Sequence, residues 1–215
     1  MTPTDIETAA RNKYNAIGDT FWSQSEILDL MYEGCLELCA EVDLIERTYT
    51  TVSVANQDEY DFPTGTEAVW LVKYNNKKVN KISKNEYDSL VNGTPTNFTS
   101  GYPTLWTEWN RTVVFYPTPT TAGDTIKLYS YNEPQPIDIN STLEIPSILH
   151  MSLTNKIVAE MLAKDENFGG AAYYQGLWEK TKERAKRLKS RRRRAQGFAV
   201  TINEDILPIN TIGGT

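Results

Sequence analysis

Few side chains in this sequence have the types and spacing that catalysis requires. His150 is the one histidine of the chain, so any Ser–His–Asp or Cys–His arrangement depends on it, and no nucleophile stands out as its partner. Cys35 and Cys39 lack the second pair of ligands that a structural zinc site needs. We expect a structural role for His150 and burial for the two thiols, which we interpret as small apolar side chains.

Phosphate-binding and acid–base motifs are also missing from the sequence. It contains neither GxGxxG nor GxxxxGK followed by Ser or Thr, so no glycine-rich loop is available to cradle phosphates. Asp58, Glu59 and Asp61 form an acidic cluster, which we interpret as a solvated turn. The sequence predicts no catalytic residue, no cofactor site and no metal site, and it argues against an enzyme.

Positive charge is concentrated near the end of the chain. The window 179–194 holds ten Lys and Arg against two Glu, a formal charge of +8, so the rest of the chain carries −14. Like charges this close on a helix repel each other, which favours an anionic partner: nucleic acid, an acidic protein face or a neighbouring copy. The alternative is a solvated helix whose long side chains cover apolar surface. The predicted partner-binding residues are Lys186, Arg187, Lys189, Arg191, Arg192, Arg193 and Arg194.

Helices are predicted at both ends of the chain. Thr4 with Glu7, and Ser23 with Glu26, fit the S/T-x-x-E capping box that starts a helix. Apolar residues at spacings of three and four predict that the second helix runs from about 24 to 46. Helical periodicity returns after Pro146 and is broken at Gly169-Gly170, so the last helix is expected to start near Ala171. Its apolar face comprises Tyr174, Leu177, Trp178, Thr181, Ala185 and Leu188.

Between the two helical regions, from Thr48 to about Asn132, the period is two and β-branched and aromatic residues dominate. Asn75-Asn76 and Asn110 mark tight reversals, which indicates antiparallel pairing. The predicted fold class is α+β: a four-helix body, with two N-terminal and two C-terminal helices, that carries an antiparallel β insertion and an extended C-terminal tail. The predicted segments are the N-terminal helices (1–47), the β insertion (48–140), the C-terminal helices (141–194) and the tail (195–215).

The tail has no helical period and contains apolar residues that must leave water when they bind. Its predicted docking residues are Phe198, Ile202, Ile206, Leu207, Ile209 and Ile212. The sequence contains no apolar stretch long enough for a membrane span and opens on polar residues, so we expect a protein made in the cytoplasm and not bound to a membrane.

In order and spacing, several landmarks of the chain resemble the head-to-tail adaptor proteins of tailed bacteriophages, the ring-forming connectors beneath the portal. These landmarks are an opening helix that ends near Ile17-Gly18-Asp19, then FWSQSEILDLMYEGCLEL, Tyr60-Asp61-Phe62-Pro63, Tyr116-Pro117-Thr118-Pro119 with DTIKLYSYNEP, and Leu143-Glu144-Ile145-Pro146. The resemblance covers roughly residues 5–190.

The resemblance implies a protein without catalytic activity that forms a dodecameric ring in the virion neck. The helical body would form the ring, the β insertion would face downstream tail or nozzle proteins or neighbouring subunits, and the C-terminal segment would bind the portal protein. Genomic DNA would pass through the channel. Two alternatives stay open: a tail-tube or tail-terminator component, and a small nucleic-acid-binding protein that acts through its basic helix. The net charge of −6 and the absence of aromatic residues within the arginine run weigh against the second.

Overall fold

The structure, a computed structural model, describes residues 1–15, 21–92 and 100–195, of which 191–195 are described as backbone only. The helices are α1 (Pro3–Tyr14), α2 (Gln24–Val42), α3 (Lys84–Asn92), α4 (Ser147–His150), α5 (Leu153–Lys164) and α6 (Phe168–Ala195). The strands are β1 (Glu46–Val52), β2 (Glu59–Asp61), β3 (Thr66–Tyr74), β4 (Lys77–Lys81), β5 (Ser100–Gly101), β6 (Leu105–Trp109), β7 (Thr112–Tyr116), β8 (Thr118–Pro119) and β9 (Thr125–Asn132).

Capping boxes start the first two helices, one of them where the sequence predicts it. At α2 the Glu26 N–H donates to Ser23 Oγ at 3.2 Å and the Ser23 N–H donates to Glu26 Oε2 at 3.1 Å, as expected. The box predicted at Thr4 is wrong, because α1 is capped by Thr2. Pro3 follows Thr2, and proline suits the first helical position because the N–H that it lacks would have no partner in the helix.

The second helix ends earlier than predicted. It stops at Val42, because Asp43 adopts a left-handed conformation with φ of 34° and the apolar residues after it belong to the turn into β1.

The long helices share one hydrophobic core. Ile6 of α1, Met31 of α2, Leu153 of α5 and Trp178 of α6 are fully buried within it. Gly34 permits the close approach of α2 and α5, because a Cβ atom at that position would lie 3.0 Å from Leu153 Cδ2. This approach brings the polar sides of α2, α5 and α6 together.

The strands form a seven-stranded sheet in the order β1-β9-β3-β4-β6-β7-β2, and β5 pairs with β8 separately. Pairing within the large sheet is antiparallel except between β4 and β6, which are parallel. The chain between β4 and β6 contains α3, so this short helix lies on the crossover that parallel pairing requires. The predicted reversals are confirmed, since Asn75, Asn76 and Asn110 all have positive φ between paired strands.

The predicted fold class, a four-helix body with an antiparallel β insertion and an extended tail, is wrong. In the described part of the chain the helices number six, and seven of the nine strands build one curled, mixed sheet with its own hydrophobic core. The sheet is therefore a major part of the fold. An alternating pattern of apolar and polar residues indicates a strand but does not specify its neighbour in the sheet. The parallel pairing of β4 with β6 could therefore not be predicted from the pattern. The tail, except for Ala195, lies outside the described residues.

The acidic cluster at 58–61 contains a strand that the sequence did not predict. Glu59 and Asp61 were expected in a turn, but they lie in β2 with exposed side chains, and Tyr60 between them is buried against Phe115. A strand of three residues is too short for periodicity to reveal.

Replacing Gly34 by Val should lower the free energy of unfolding by about 2 kcal/mol, because the added atoms must displace Leu153 or Lys156 from a packed helix contact. Gly176→Val is the matched control, since a Cβ atom there has no neighbour within 4 Å and the change should stay within about 0.5 kcal/mol. Urea unfolding measures both variants. Equal free energies of unfolding for the two variants would contradict the close packing of α2 on α5.

Candidate functional site: the cationic helix

The cationic helix α6 is held by an apolar side that the sequence identifies. Trp178 and Ala185 are fully buried, and Thr181 between them is also buried. The predicted start at Ala171 is wrong, because the helix begins at Phe168 and includes Gly169 and Gly170. The Gly170 N–H donates to Asn167 Oδ1 at 3.1 Å, so Asn167 caps the helix and the glycines do not break it.

One row of lysines on α6 faces the acidic end of α2. Lys182 Nζ lies 3.4 Å from Glu37 Oε2, and Lys186 Nζ lies 3.0 Å from Glu41 Oε2. Lys189 pairs with Asp43, and its Nζ also lies 5.1 Å from the centre of the Tyr131 ring of β9. Three successive lysines therefore meet three successive acids, and we call these pairs the charge ladder.

Glu37 lies at one end of the charge ladder and has further partners beyond Lys182. Its carboxylate accepts a hydrogen bond from Trp178 Nε1 at 2.7 Å, and Lys156 Nζ lies 2.7 Å from its Oε1. Burial opposes ionisation of Glu37, but the hydrogen bonds from Lys156 and Trp178 and the charges of Lys156 and Lys182 outweigh it, so the pKa of Glu37 is lowered.

Three lysines at this interface between helices, Lys156, Lys182 and Lys186, are held in their charged form. Burial disfavours the charged form of Lys156, but hydrogen bonds to Glu160 and Glu37 outweigh it, and the pKa of Lys156 is raised. The pKa of Lys182 is raised for the same reason, through Glu179 and Glu37. The pKa of Lys186 is raised by its hydrogen bonds to Glu41 and Glu183. All three lysines therefore stay positively charged.

A second cationic row lies on the exposed side of α6. Lys180, Arg184 and Arg187 are exposed, and none of them forms an ion pair with any residue that the structure describes. We call them the outer stripe. They line a groove of about 710 Å³ whose apolar part comes from Ile148 and Leu188.

The predicted partner-binding residues are thus divided between two sides of the helix. Lys186 and Lys189 belong to the charge ladder, whereas Arg187 belongs to the outer stripe. The backbone of 191–195 continues α6, and the side chains of Arg191, Arg192, Arg193 and Arg194 are not described. The tail residues Phe198, Ile202, Ile206, Leu207, Ile209 and Ile212 lie outside the described residues.

Sequence reasoning missed the acids that pair with the lysines. Glu37 and Glu41 lie four residues apart, as do Lys182 and Lys186, so the two helices carry rows of opposite charge at matching spacing. This spacing was the available signal. It could be used only with the knowledge that α2 and α6 are neighbours.

Both cysteines and the histidine are buried. Burial raises the pKa of both the Cys35 and the Cys39 thiol to about 12, so neither is a thiolate near neutral pH. His150 is buried and its Nε2 donates to the Ile145 carbonyl at 2.8 Å. Within residues 1–15, 21–92 and 100–195, no group of three His, Cys, Asp or Glu could hold a metal ion. In the same ranges, no helix is long and apolar enough to span a membrane.

The exposed cationic stripe, beside a groove that is partly apolar, is the candidate binding surface. Residues 1–202 match the family model described as SU10 adaptor protein, so the chain belongs to that family. The match confirms the resemblance to phage head-to-tail adaptors. The chain is a phage adaptor, a structural component of the virion that interacts with other head or tail components. A comparison with curated proteins gave no match.

Replacing Glu37 by Gln should lower the free energy of unfolding at pH 7 by about 1–2 kcal/mol, because Lys156 and Lys182 lose a shared counter-charge at a half-buried position. Glu33→Gln, one turn away on α2, is the control, since Glu33 is exposed and forms no ion pair in the described part of the chain. Chemical unfolding measures both. The same loss from Glu33→Gln would show that Glu37 has no special role.

The pH dependence of this loss follows from the lowered pKa of Glu37. A carboxylate whose pKa is lowered on folding contributes stability above its unfolded pKa, near 4.5, and that contribution disappears as the pH falls through the folded-state pKa. The difference between the wild-type chain and Glu37→Gln should therefore be constant above about pH 6 and shrink below about pH 4. A difference that grows on acidification would contradict the assignment.

Proposed function

We propose that this adaptor forms a dodecameric ring that binds the portal protein and connects the capsid to the tail. The helical segments 1–47 and 141–194 form the wall of the ring, and the β-rich segment 48–140 faces downstream tail or nozzle proteins. The observation that carries the proposal is the division of charge on α6. One row of lysines is neutralised within the subunit, so the exposed row is available to a partner.

Contacts between identical subunits around a ring axis join two different surfaces, so each subunit needs an acidic surface to meet a basic one. Asp29 and Glu33 are exposed on α2 and form no ion pair with described residues. We propose that these acids of one copy face the outer stripe of the next. Complementary charges of this kind determine the orientation of the two subunits and their rate of association more than their affinity.

The C-terminal segment is proposed to bind the portal. Each apolar side chain that becomes fully covered there contributes roughly 1.5–3 kcal/mol, which offsets the entropy lost on ordering the segment. The proposed portal-binding residues of the tail are Phe198, Ile202, Ile206, Leu207, Ile209 and Ile212.

A chain truncated after Gln196 should fold normally and fail to bind portal rings, because the fold that the structure describes ends at Ala195. A pull-down with purified portal measures the binding, and circular dichroism of the truncated chain checks the fold. The control is a chain that ends at Ile212, which retains every proposed docking residue. Normal attachment of the chain that ends at Gln196 would refute portal docking by the tail.

Replacing all four residues Arg191–Arg194 by Gln separates a protein contact from a DNA contact. If the run contacts the portal or a neighbouring subunit, assembly with purified portal should fail in the absence of DNA. If it lines the channel, assembly should proceed and completed particles should retain DNA less well, because fewer phosphates are neutralised. Electron microscopy of the mixture and DNA release from particles give the two readouts. Unchanged assembly together with unchanged DNA retention would contradict both roles.

A further inference from the structure

The groove beside the outer stripe combines two kinds of chemistry. Lys180, Arg184 and Arg187 supply positive charge along one side, and Ile148, which is 49% exposed, and Leu188 supply apolar surface. A site of this composition suits a short segment that carries carboxylates next to large apolar side chains.

The acids that border the groove do not neutralise the stripe. Glu179 Oε1 lies 3.0 Å from Lys182 Nζ, and Glu183 Oε1 lies 3.1 Å from Lys186 Nζ, so both carboxylates are engaged with lysines of the charge ladder. The groove therefore presents a net positive charge. An occupant that brings its own carboxylates would relieve the repulsion within the stripe.

The C-terminal tail of the same chain has the complementary composition. Between 195 and 215 its only charged side chains are Glu204 and Asp205, and they are flanked by Ile202, Ile206 and Leu207. We infer that the segment 202–207 docks into the groove of its own subunit, with its two carboxylates on the outer stripe and its apolar side chains on Ile148 and Leu188.

The length of the chain permits this return. Glu204 lies nine positions after Ala195, a stretch of chain that spans up to about 30 Å when extended. Arg187 and Arg184 precede Ala195 by eight and eleven residues, which is about 12–17 Å along the helix. Gly197 offers a point of reversal. A tether of this length keeps the segment at an effective concentration near the millimolar range, so the subunit's own tail outcompetes that of another copy.

The inference deepens the proposed function and rests on it for its biological meaning. The same residues, Ile202, Ile206 and Leu207, are proposed to bind the portal, so a docked tail is withheld from the portal and covers the stripe that a neighbouring subunit would use. The free subunit then stays monomeric until the portal removes the tail. The family match ends at residue 202, so Glu204 and Asp205 lie beyond the matched part of the chain.

Hydrogen–deuterium exchange of the full-length free subunit tests the docking without any portal. The amides of 202–207 should exchange about fivefold faster after Glu204→Lys with Asp205→Lys, and also after Arg184→Glu with Arg187→Glu, because each change opposes like charges across the groove. A chain that carries all four changes should recover the slow exchange of the wild type. Lys77→Glu with Lys78→Glu is the control, since it changes the net charge by the same amount at two exposed positions at the start of β4.

Each outcome of this experiment is decisive. Equal exchange in the wild-type and charge-reversed chains, or no recovery in the fourfold variant, would overturn the docking. Protection that disappears on dilution would assign the groove to the tail of another copy and would overturn docking within the subunit. Failure of portal binding would leave the exchange result unchanged, so the two proposals stand or fall separately.

Discussion

The orientation of α6 about its own axis is the constraint on which the surface of this adaptor depends. The helix carries cations on most of its circumference, so burial of an apolar side and pairing with α2 together decide which cations reach solvent. Trp178 connects the two requirements, because its ring is fully buried in the helical core while its Nε1 donates to Glu37. If α6 rotated about its axis, either the indole ring would lose its burial or the hydrogen bond from Nε1 to Glu37 would be broken.

The free energies of burial and of ion pairing show how much each contributes to holding α6 in place. Burial of large side chains such as Trp178 contributes several kcal/mol, whereas a partly exposed ion pair contributes at most about 1 kcal/mol. Packing therefore holds α6 on the body. The charge ladder selects the orientation of α6 about its axis, because it favours the one in which Lys182, Lys186 and Lys189 pair with acids. In that orientation the outer stripe faces solvent.

Local features of the fold follow from the sequence, and long-range ones do not. The capping box at Ser23 and the reversals at Asn75 and Asn110 depend on a few adjacent residues, and the structure confirms them. The mixed sheet depends on which strands pair across long stretches of chain, which alternation alone does not encode. The same distinction applies to the site. The basic helix is visible in the sequence, but Glu37 lies more than a hundred residues before Lys182, so its role emerges only when α2 and α6 are seen side by side.

Differences in burial also separate the interactions that maintain the fold from those available to partners. The side chains of Lys156 and Lys182 are 8% and 15% exposed, and such pairs are screened little by salt. The outer stripe is exposed, and at physiological ionic strength charges there act over a Debye length of about 8 Å. Added salt therefore weakens contacts of the stripe before it weakens the pairs of Lys156 and Lys182 with Glu37. An adaptor that contacts other virion components while keeping its own shape needs this separation, and α6 provides it on opposite sides of one helix.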